Sequence, residues 1–175
     1  MQHLNVEIKA KCFDHARIRN ILEKKQAQSK GTDHQIDTYF QVPNGKLKLR
    51  EGTIENALIH YQRSNQAGPK DSQVTLFRTE PNSDLKPVLS QALGILAIVD
   101  KTREIYFIDN VKFHIDTLQG LGTFVEIEAI DTDATLGREK LTEQCNLYLN
   151  LFGITEKDLI AESYSDMVLK NKSSS

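Results

Sequence analysis

Charged side chains recur at every second position in several short stretches of this 175-residue chain. Glu7, Lys9 and Lys11 share one parity, as do Lys46, Lys48 and Arg50, and then Lys101 and Arg103. Lys112, His114 and Asp116 alternate with Val111, Phe113 and Ile115, and Glu126 and Glu128 alternate with Val125, Ile127 and Ala129. Arg63 ends a further stretch, although it shares its parity with Ile59 and Tyr61. Together these positions hold nine Lys or Arg against four Asp or Glu. On one strand alone, such a face is ordinary solvated sheet surface. Enclosed together, the surplus of positive charge would repel itself unless a polyanion filled the space. The neighbouring carboxylates suit a hard divalent cation, Mg2+ or Mn2+, which binds one or two carboxylates plus phosphate oxygens. Polyphosphate with metal is the chemistry these residue types imply. It asks for positioning and charge stabilisation rather than a covalent nucleophile, and no Ser-His-Asp, Cys-His or His-metal constellation competes with it. Of the five histidines, His114 alone lies on the charged face.

The elements that must position these residues follow from periodicity. Leu4, Val6, Ile8, Ala10 and Cys12 alternate with Asn5, Glu7, Lys9 and Lys11, the two-residue period of a strand. Asp14 is placed to cap a helix to about Gln26, with Ile18, Ile21 and Leu22 as its apolar stripe. A strand is predicted around 34–42, and Pro43-Asn44-Gly45 turns it into a returning strand over 46–51. Further strands are predicted at 57–63, 72–79, 95–108, 111–116 and 123–130. Helices are predicted at 84–93, ended by Gly94, and from an Asp133 cap to about Phe152. Residues 1–169 read as a single domain and 170–175 as a disordered tail. Eight strands at hairpin spacing with three helices predict an α+β fold, a closed eight-stranded antiparallel barrel. The helix stripes need the apolar strand faces as partners, so the helices pack outside and the charges point inward. Eight strands enclose room for one small ligand.

Composition narrows the class. The net charge of −2 and the absence of an open basic stripe disfavour nucleic acid. No run reaches the roughly 18 to 20 apolar residues of a membrane span. The start, Met1-Gln2-His3-Leu4-Asn5, has neither the basic nor the apolar region of a secretory signal. Cys12 and Cys145 lack metal-like spacing and read as small buried hydrophobes. A cytoplasmic protein is expected, with the choice between monomer and homodimer left open.

Asn5-Val6-Glu7-Ile8-Lys9 resembles the ExExK strand of the CYTH, or triphosphate tunnel metalloenzyme, superfamily. Asp37-Thr38-Tyr39-Phe40, the 42–51 stretch, Lys101-Thr102-Arg103 and Glu126-Ile127-Glu128 follow in that family's order. Ser163-Tyr164-Ser165-Asp166 resembles its class IV adenylyl cyclase-like branch. The resemblance implies a nucleotide or inorganic triphosphate bound with Mg2+ or Mn2+ inside the barrel. By position it makes Glu7, Glu126 and Glu128 metal-binding acids, with Asp116 added. It makes Lys9, Lys48, Arg50, Arg63, Lys101 and Arg103 phosphate-binding cations, and Lys9 and Glu128 the catalytic pair. One departure stands out: the first Glu of ExExK is Asn5, a neutral oxygen where the family has a charge. The expected activity is conversion of ATP to cyclic AMP and pyrophosphate. The alternatives are a triphosphatase and a non-catalytic module that binds a phosphorylated ligand.

Overall fold

The computed structural model describes residues 2–174. Eight strands form in chain order: β1 (Gln2–Lys11), β2 (Gln28–Phe40), β3 (Lys46–Gly52), β4 (Ala57–Arg63), β5 (Lys70–Arg78), β6 (Ile95–Ile108), β7 (Val111–Leu118) and β8 (Gly122–Asp131). Every pairing is antiparallel, and the order β1-β5-β4-β3-β2-β6-β7-β8 closes on itself as a barrel. The hairpin at 43–45 forms as predicted. Gly45 sits at φ +65°, where a Cβ would meet the Tyr61 carbonyl oxygen at 2.7 Å, so glycine is required there.

Four α-helices accompany the strands: α1 (His15–Lys24), α2 (Leu85–Leu93), α3 (Gly137–Phe152) and α4 (Tyr164–Ser173). Asp14 caps α1 by accepting from the Arg17 amide at 2.9 Å. The expected Asp133 cap of α3 gives way to Asp131, which accepts the amides of Thr135, Leu136 and Gly137. The outward faces of β1, β7 and β8 carry Val6, Ile8, Phe113, Ile115, Val125 and Ile127, and α1 and α3 cover them with Ile18, Leu22, Leu141, Cys145 and Phe152. Each such fully buried side chain contributes about 1.5–3 kcal/mol.

Two expectations are corrected. Of the tail expected to be disordered from Lys170 onward, residues 170–173 are the last turn of α4, which runs to Ser173; Ser175 lies outside the described residues. A reciprocal cap starts this helix, with Ser163 and Asp166 each bonding the other's amide, which offsets the unpaired amides of a helix start. Helices also do not all pack outside. Tyr164, Met167 and Val168 of α4 join Tyr39, Tyr61, Ala97, Val99, Leu118 and Phe124 in a second apolar cluster. The register puts these strand residues on the inward parity, towards one end of the barrel.

Candidate functional site

The inward parity of the ladder assembles the charged groups. Lys9 stands opposite Glu126 and Glu7 opposite Glu128 across β1 and β8; Lys112 and His114 stand opposite Glu128 and Glu126 across β7 and β8. Arg103 pairs in register with Asp116, and Arg50 with Asp37. Period-two alternation therefore converts the sequence pattern into one interior surface. Lys9, Arg50, Lys101, Arg103, His114 and Asp116 are buried. Lys11 shares the inward parity but is exposed at the end of β1, so it leaves the expected set.

The interior is not the uncompensated cationic space that the sequence implied. Asp37, fully buried, receives Arg50 Nε at 2.9 Å, Lys48 Nζ at 2.9 Å and Lys101 Nζ at 2.8 Å. Glu55, from the β3–β4 loop, takes Arg50 Nη1 at 2.9 Å and Lys112. Asp33 holds that loop in place by accepting the amides of Ile54 and Glu55 and the Thr53 hydroxyl, each at 2.9 Å. Asp33, Gln35 and Asp37 alternate on β2; the strand predicted from about His34 leaves out Asp33, and Asp37, which it includes, received no role among the interior acids. Glu55 lies in a loop, where no period points inward. Lys70 was missed because its strand was predicted from Ser72; it is wholly buried and donates to the Ala161 carbonyl at 2.9 Å.

Titration follows these pairings. Burial drives Lys101 down to about 7, and the single charge of Asp37, shared with Arg50 and Lys48, does not offset it. Burial also lowers Lys9 to about 8, against the pull of Glu126 at 3.3 Å. Asp37 is buried yet held well below the usual carboxylate range by Arg50, Lys101 and Lys48. Glu126 is likewise held low by Lys9 and Arg103.

The acids divide into two groups. Asp116 binds Arg103 through both oxygens, at 2.7 and 2.6 Å, and also accepts the Tyr164 hydroxyl at 2.7 Å. Glu7 is paired with Arg63, Glu126 with Lys9 and Arg103, and Glu128 receives the Asn5 amide. Among the described residues, no three His, Cys, Asp or Glu side chains stand together as a ready metal cluster. Glu128 is nonetheless short of positive charge: burial raises its pKa, and Glu7 and Glu126 add to the rise. Beside it, the buried Asn5 Oδ1 has no hydrogen-bond partner. Two facing carboxylates and an orphaned amide oxygen are a hard-oxygen donor set that fits Mg2+ or Mn2+.

One end of the barrel is closed by α4. The Tyr164 ring lies against Phe124, with centroids 5.3 Å apart, and Lys9 Nζ stands 3.8 Å from the Tyr164 centroid. Lys46 reaches Ser165 at 3.1 Å and Asp166 at 2.7 Å, and also bonds Ser163. Sequence reading noticed this Ser-Tyr-Ser-Asp run but not that it enters the barrel.

Fold and site together define a closed antiparallel barrel whose interior is a network of paired cations and carboxylates. The CYTH domain model matches residues 3–164, and the chain belongs to the CYTH domain family. It is 25% identical to a Methanocaldococcus jannaschii protein provisionally named an adenylate cyclase, over 94% of this chain and 98% of that one. A solved Pyrococcus horikoshii structure covers 94% of this chain and 99% of its own, with TM-score 0.78 and 20% identity. A Hippeastrum protein provisionally named an adenylyl cyclase, and described as having a dominant triphosphatase activity, matches at TM-score 0.62 and 13% identity. That match covers 98% of this chain and 96% of the other. These structural likenesses establish the shared fold. No helix among the described residues is long and apolar enough to cross a membrane.

Proposed function

We propose that this chain is a metal-dependent enzyme that acts on a triphosphate inside the barrel, and that its principal reaction is hydrolysis. One observation carries the choice of reaction: α4 fills the apolar end of the barrel with Tyr164, Met167 and Val168. In this reading phosphates enter from the opposite end, and any base stays near that mouth. Lys48, Arg50, Arg63, Lys101 and Arg103 are the phosphate-binding cations in this reading, with Lys9 beside the phosphorus under attack. Water oxygen bonds to the terminal phosphorus, the bridging P–O bond breaks, the diphosphate leaves with the electron pair, and the water's proton passes to a phosphate oxygen of the products or to solvent.

Glu7, Glu126 and Glu128, with the Asn5 oxygen, would hold the divalent cation, whose chemistry is charge neutralisation on phosphate oxygens. The Asp116 carboxylate is fully occupied by Arg103 and Tyr164, so its role here is to orient Arg103. Bound phosphate competes with Asp37 and Glu55 for their cations, and the ion pairs of the empty barrel exchange for pairs with substrate. Preformed cations of this kind need little reorganisation as charge develops.

Cyclisation of ATP is the second reading, favoured by the provisional adenylate cyclase names of the Methanocaldococcus jannaschii and Vibrio parahaemolyticus relatives. Incubation with ATP or tripolyphosphate plus Mg2+ or Mn2+ tests both. Phosphate as the main product supports hydrolysis, cyclic AMP supports cyclisation, and no product from either leaves a binding module.

A further inference from the structure

The end of the barrel opposite α4 carries a bridge of its own. Lys46, at the start of β3, bonds Ser165 and Asp166 of α4, so the end of β3 and the 53–56 loop lie at the far end. Lys112 belongs to that end too: it stands near the start of β7, whereas Asp116, further along, accepts the Tyr164 hydroxyl of α4. There the Glu55 carboxylate accepts from Arg50 Nη1 at 2.9 Å, from Gln35 Nε2 at 3.2 Å and from Lys112. Around the ring, β2 and β6 separate β3 from β7. One side chain therefore ties opposite walls of the barrel across its interior.

The backbone under this bridge is fixed. Asp33 accepts the Ile54 and Glu55 amides, each at 2.9 Å, and a Cβ on Gly52 would meet the Glu55 carbonyl oxygen at 2.6 Å. The side chain is free to move. Glu55 is 27% exposed, and a change of rotamer carries its carboxylate into solvent while the loop stays in place. Asp37 has no such exit, because it is buried and holds Arg50, Lys48 and Lys101 at once. Glu55 is thus the internal anion that an incoming phosphate displaces. Its departure leaves Arg50 Nη1 facing the Lys112 ammonium, with space between them for one anionic group. Phosphate oxygens fit that space as a carboxylate does, through charge-assisted hydrogen bonds to both cations.

Two cations at the entrance favour the phosphate that carries the most charge. The outer phosphate of tripolyphosphate is a free chain end with about two negative charges at neutral pH. Esterification of that phosphate, as in a nucleoside triphosphate, removes one of its ionisable oxygens.

We propose that Glu55 is a removable bridge which the outer phosphate of the substrate replaces, and that Lys112 is a seventh phosphate-binding residue, one that selects a free outer phosphate over an esterified one. The proposal rests on the triphosphate reading above, with phosphates entering at this end. It makes Glu55 and Lys112 specificity-determining residues at the entrance, away from the phosphorus under attack.

The test compares full-length wild type with Lys112→Met and Glu55→Gln. The probes are tripolyphosphate and methyl triphosphate, which differ in one outer ester and carry no base. Affinity is measured by calorimetry in chelator, where no turnover runs, and kcat/KM with Mg2+. Lys112→Met should weaken tripolyphosphate by roughly tenfold, the lower range for a lost bond between charged groups, and methyl triphosphate by no more than about threefold. Glu55→Gln keeps the shape of the side chain but gives up its charge. It should bind tripolyphosphate roughly threefold to tenfold more tightly, while the ligand-free protein loses stability. Wild type should itself prefer tripolyphosphate to methyl triphosphate by about tenfold, a readout that stands even if a variant does not fold. Equal affinity of wild type for the two probes overturns the proposal. So does an equal loss of both probes in Lys112→Met, or unchanged or weaker binding in folded Glu55→Gln, the result expected of a bridge that only holds the loop. A wild type that neither binds nor turns over tripolyphosphate overturns the triphosphate reading and this one together; active wild type with an unaltered Lys112→Met overturns this one alone.

Discussion

The Lys101 ammonium donates to Asp37 Oδ2 at 2.8 Å, with neither side chain reaching solvent. Lys48 donates to the same oxygen, and Arg50 grips both oxygens of that carboxylate. One negative charge thus organises three cations from β3 and β6. Asp37→Asn leaves Lys48 and Lys101 buried without their counterion and leaves Arg50 with Glu55 alone. Removing one partner of a buried pair costs about 3–5 kcal/mol, a fall in Tm of roughly 6–20 °C for a domain of this size. Tripolyphosphate supplies replacement oxygens, so it should raise the Tm of the variant more than that of wild type. Thermal unfolding with and without the ligand checks this, and an unchanged Tm would remove Asp37 from the organising role.

The same crowding sets a pH dependence. Lys101 is lowered to about 7 and Lys9 to about 8, against 10.5 for an unburied lysine. Between those values the unfolded chain holds protons that the folded chain has released. Raising the pH through that window therefore favours folding. The ligand-free protein should gain stability from pH 7 to pH 9, with Lys101 contributing at most about 1.4 kcal/mol per pH unit. Above about pH 10 the sign reverses, because the unfolded lysines then lose their own protons while burial holds the Cys145 thiol up at about 12 and keeps Tyr39, Tyr61 and Tyr164 protonated. Urea unfolding at pH 7, 8 and 9 should show a flatter slope for Lys101→Met; an equal slope would mean the Lys101 proton is not the source.

Much of the barrel was legible because strand period and burial coincide. Leu4 to Lys11 and Val111 to Asp116 alternate without interruption, and each position faces the side its parity assigns. What escaped reading was a group on a loop, groups at misplaced strand ends and a group on a helix. Glu55 arrives from a loop, Lys70 is the first residue of β5 and lies two residues before the strand predicted from Ser72, and Tyr164 enters on a helix. The absence of the acids Asp37 and Glu55 from the expected set made the interior look more cationic than it is. Arg103 illustrates the consequence. Treated as one of many crowded cations, it could be removed at no cost in stability, yet it is the bidentate partner of buried Asp116. Arg103→Ala should destabilise the protein by about 3–5 kcal/mol as well as weaken triphosphate binding.

The helix closing the barrel gives a cleaner variant. Tyr164→Phe keeps the ring against Phe124 and Lys9 but removes the hydroxyl that donates to Asp116 at 2.7 Å. A hydrogen bond to a charged acceptor contributes about 1.5–3 kcal/mol, so a loss of that order is expected in chemical unfolding. Tyr164→Ala also empties the space under Lys9 and should cost about 3–5 kcal/mol. Tyr164→Phe matching wild type would mean that the Asp116 contact does not hold α4 in place.

Metal dependence turns on Asn5. Its Nδ2 donates to Glu128 while its buried Oδ1 has no partner, and burial with the nearby Glu7 and Glu126 charges raises the Glu128 pKa. A divalent cation would relieve both conditions. Because Asn5 offers a neutral oxygen, the cation should bind weakly to the empty protein and tighten once phosphate oxygens complete its shell. Asn5→Glu or Asn5→Asp adds a negative ligand and should lower the Mg2+ or Mn2+ concentration for half-maximal turnover by roughly tenfold, about 1.4 kcal/mol of added affinity. Without metal the same change should destabilise the protein, since a fourth carboxylate joins Glu7, Glu126 and Glu128. Glu126→Gln and Glu128→Gln should each lower turnover by orders of magnitude, and Glu126→Gln should also destabilise the protein, because it takes the counterion from Lys9. Metal titrations at saturating triphosphate, paired with unfolding in chelator, separate the two effects. Identical titration midpoints for wild type and Asn5→Glu would place Asn5 outside the metal shell, and turnover that persists in chelator would end the metal-dependent reading.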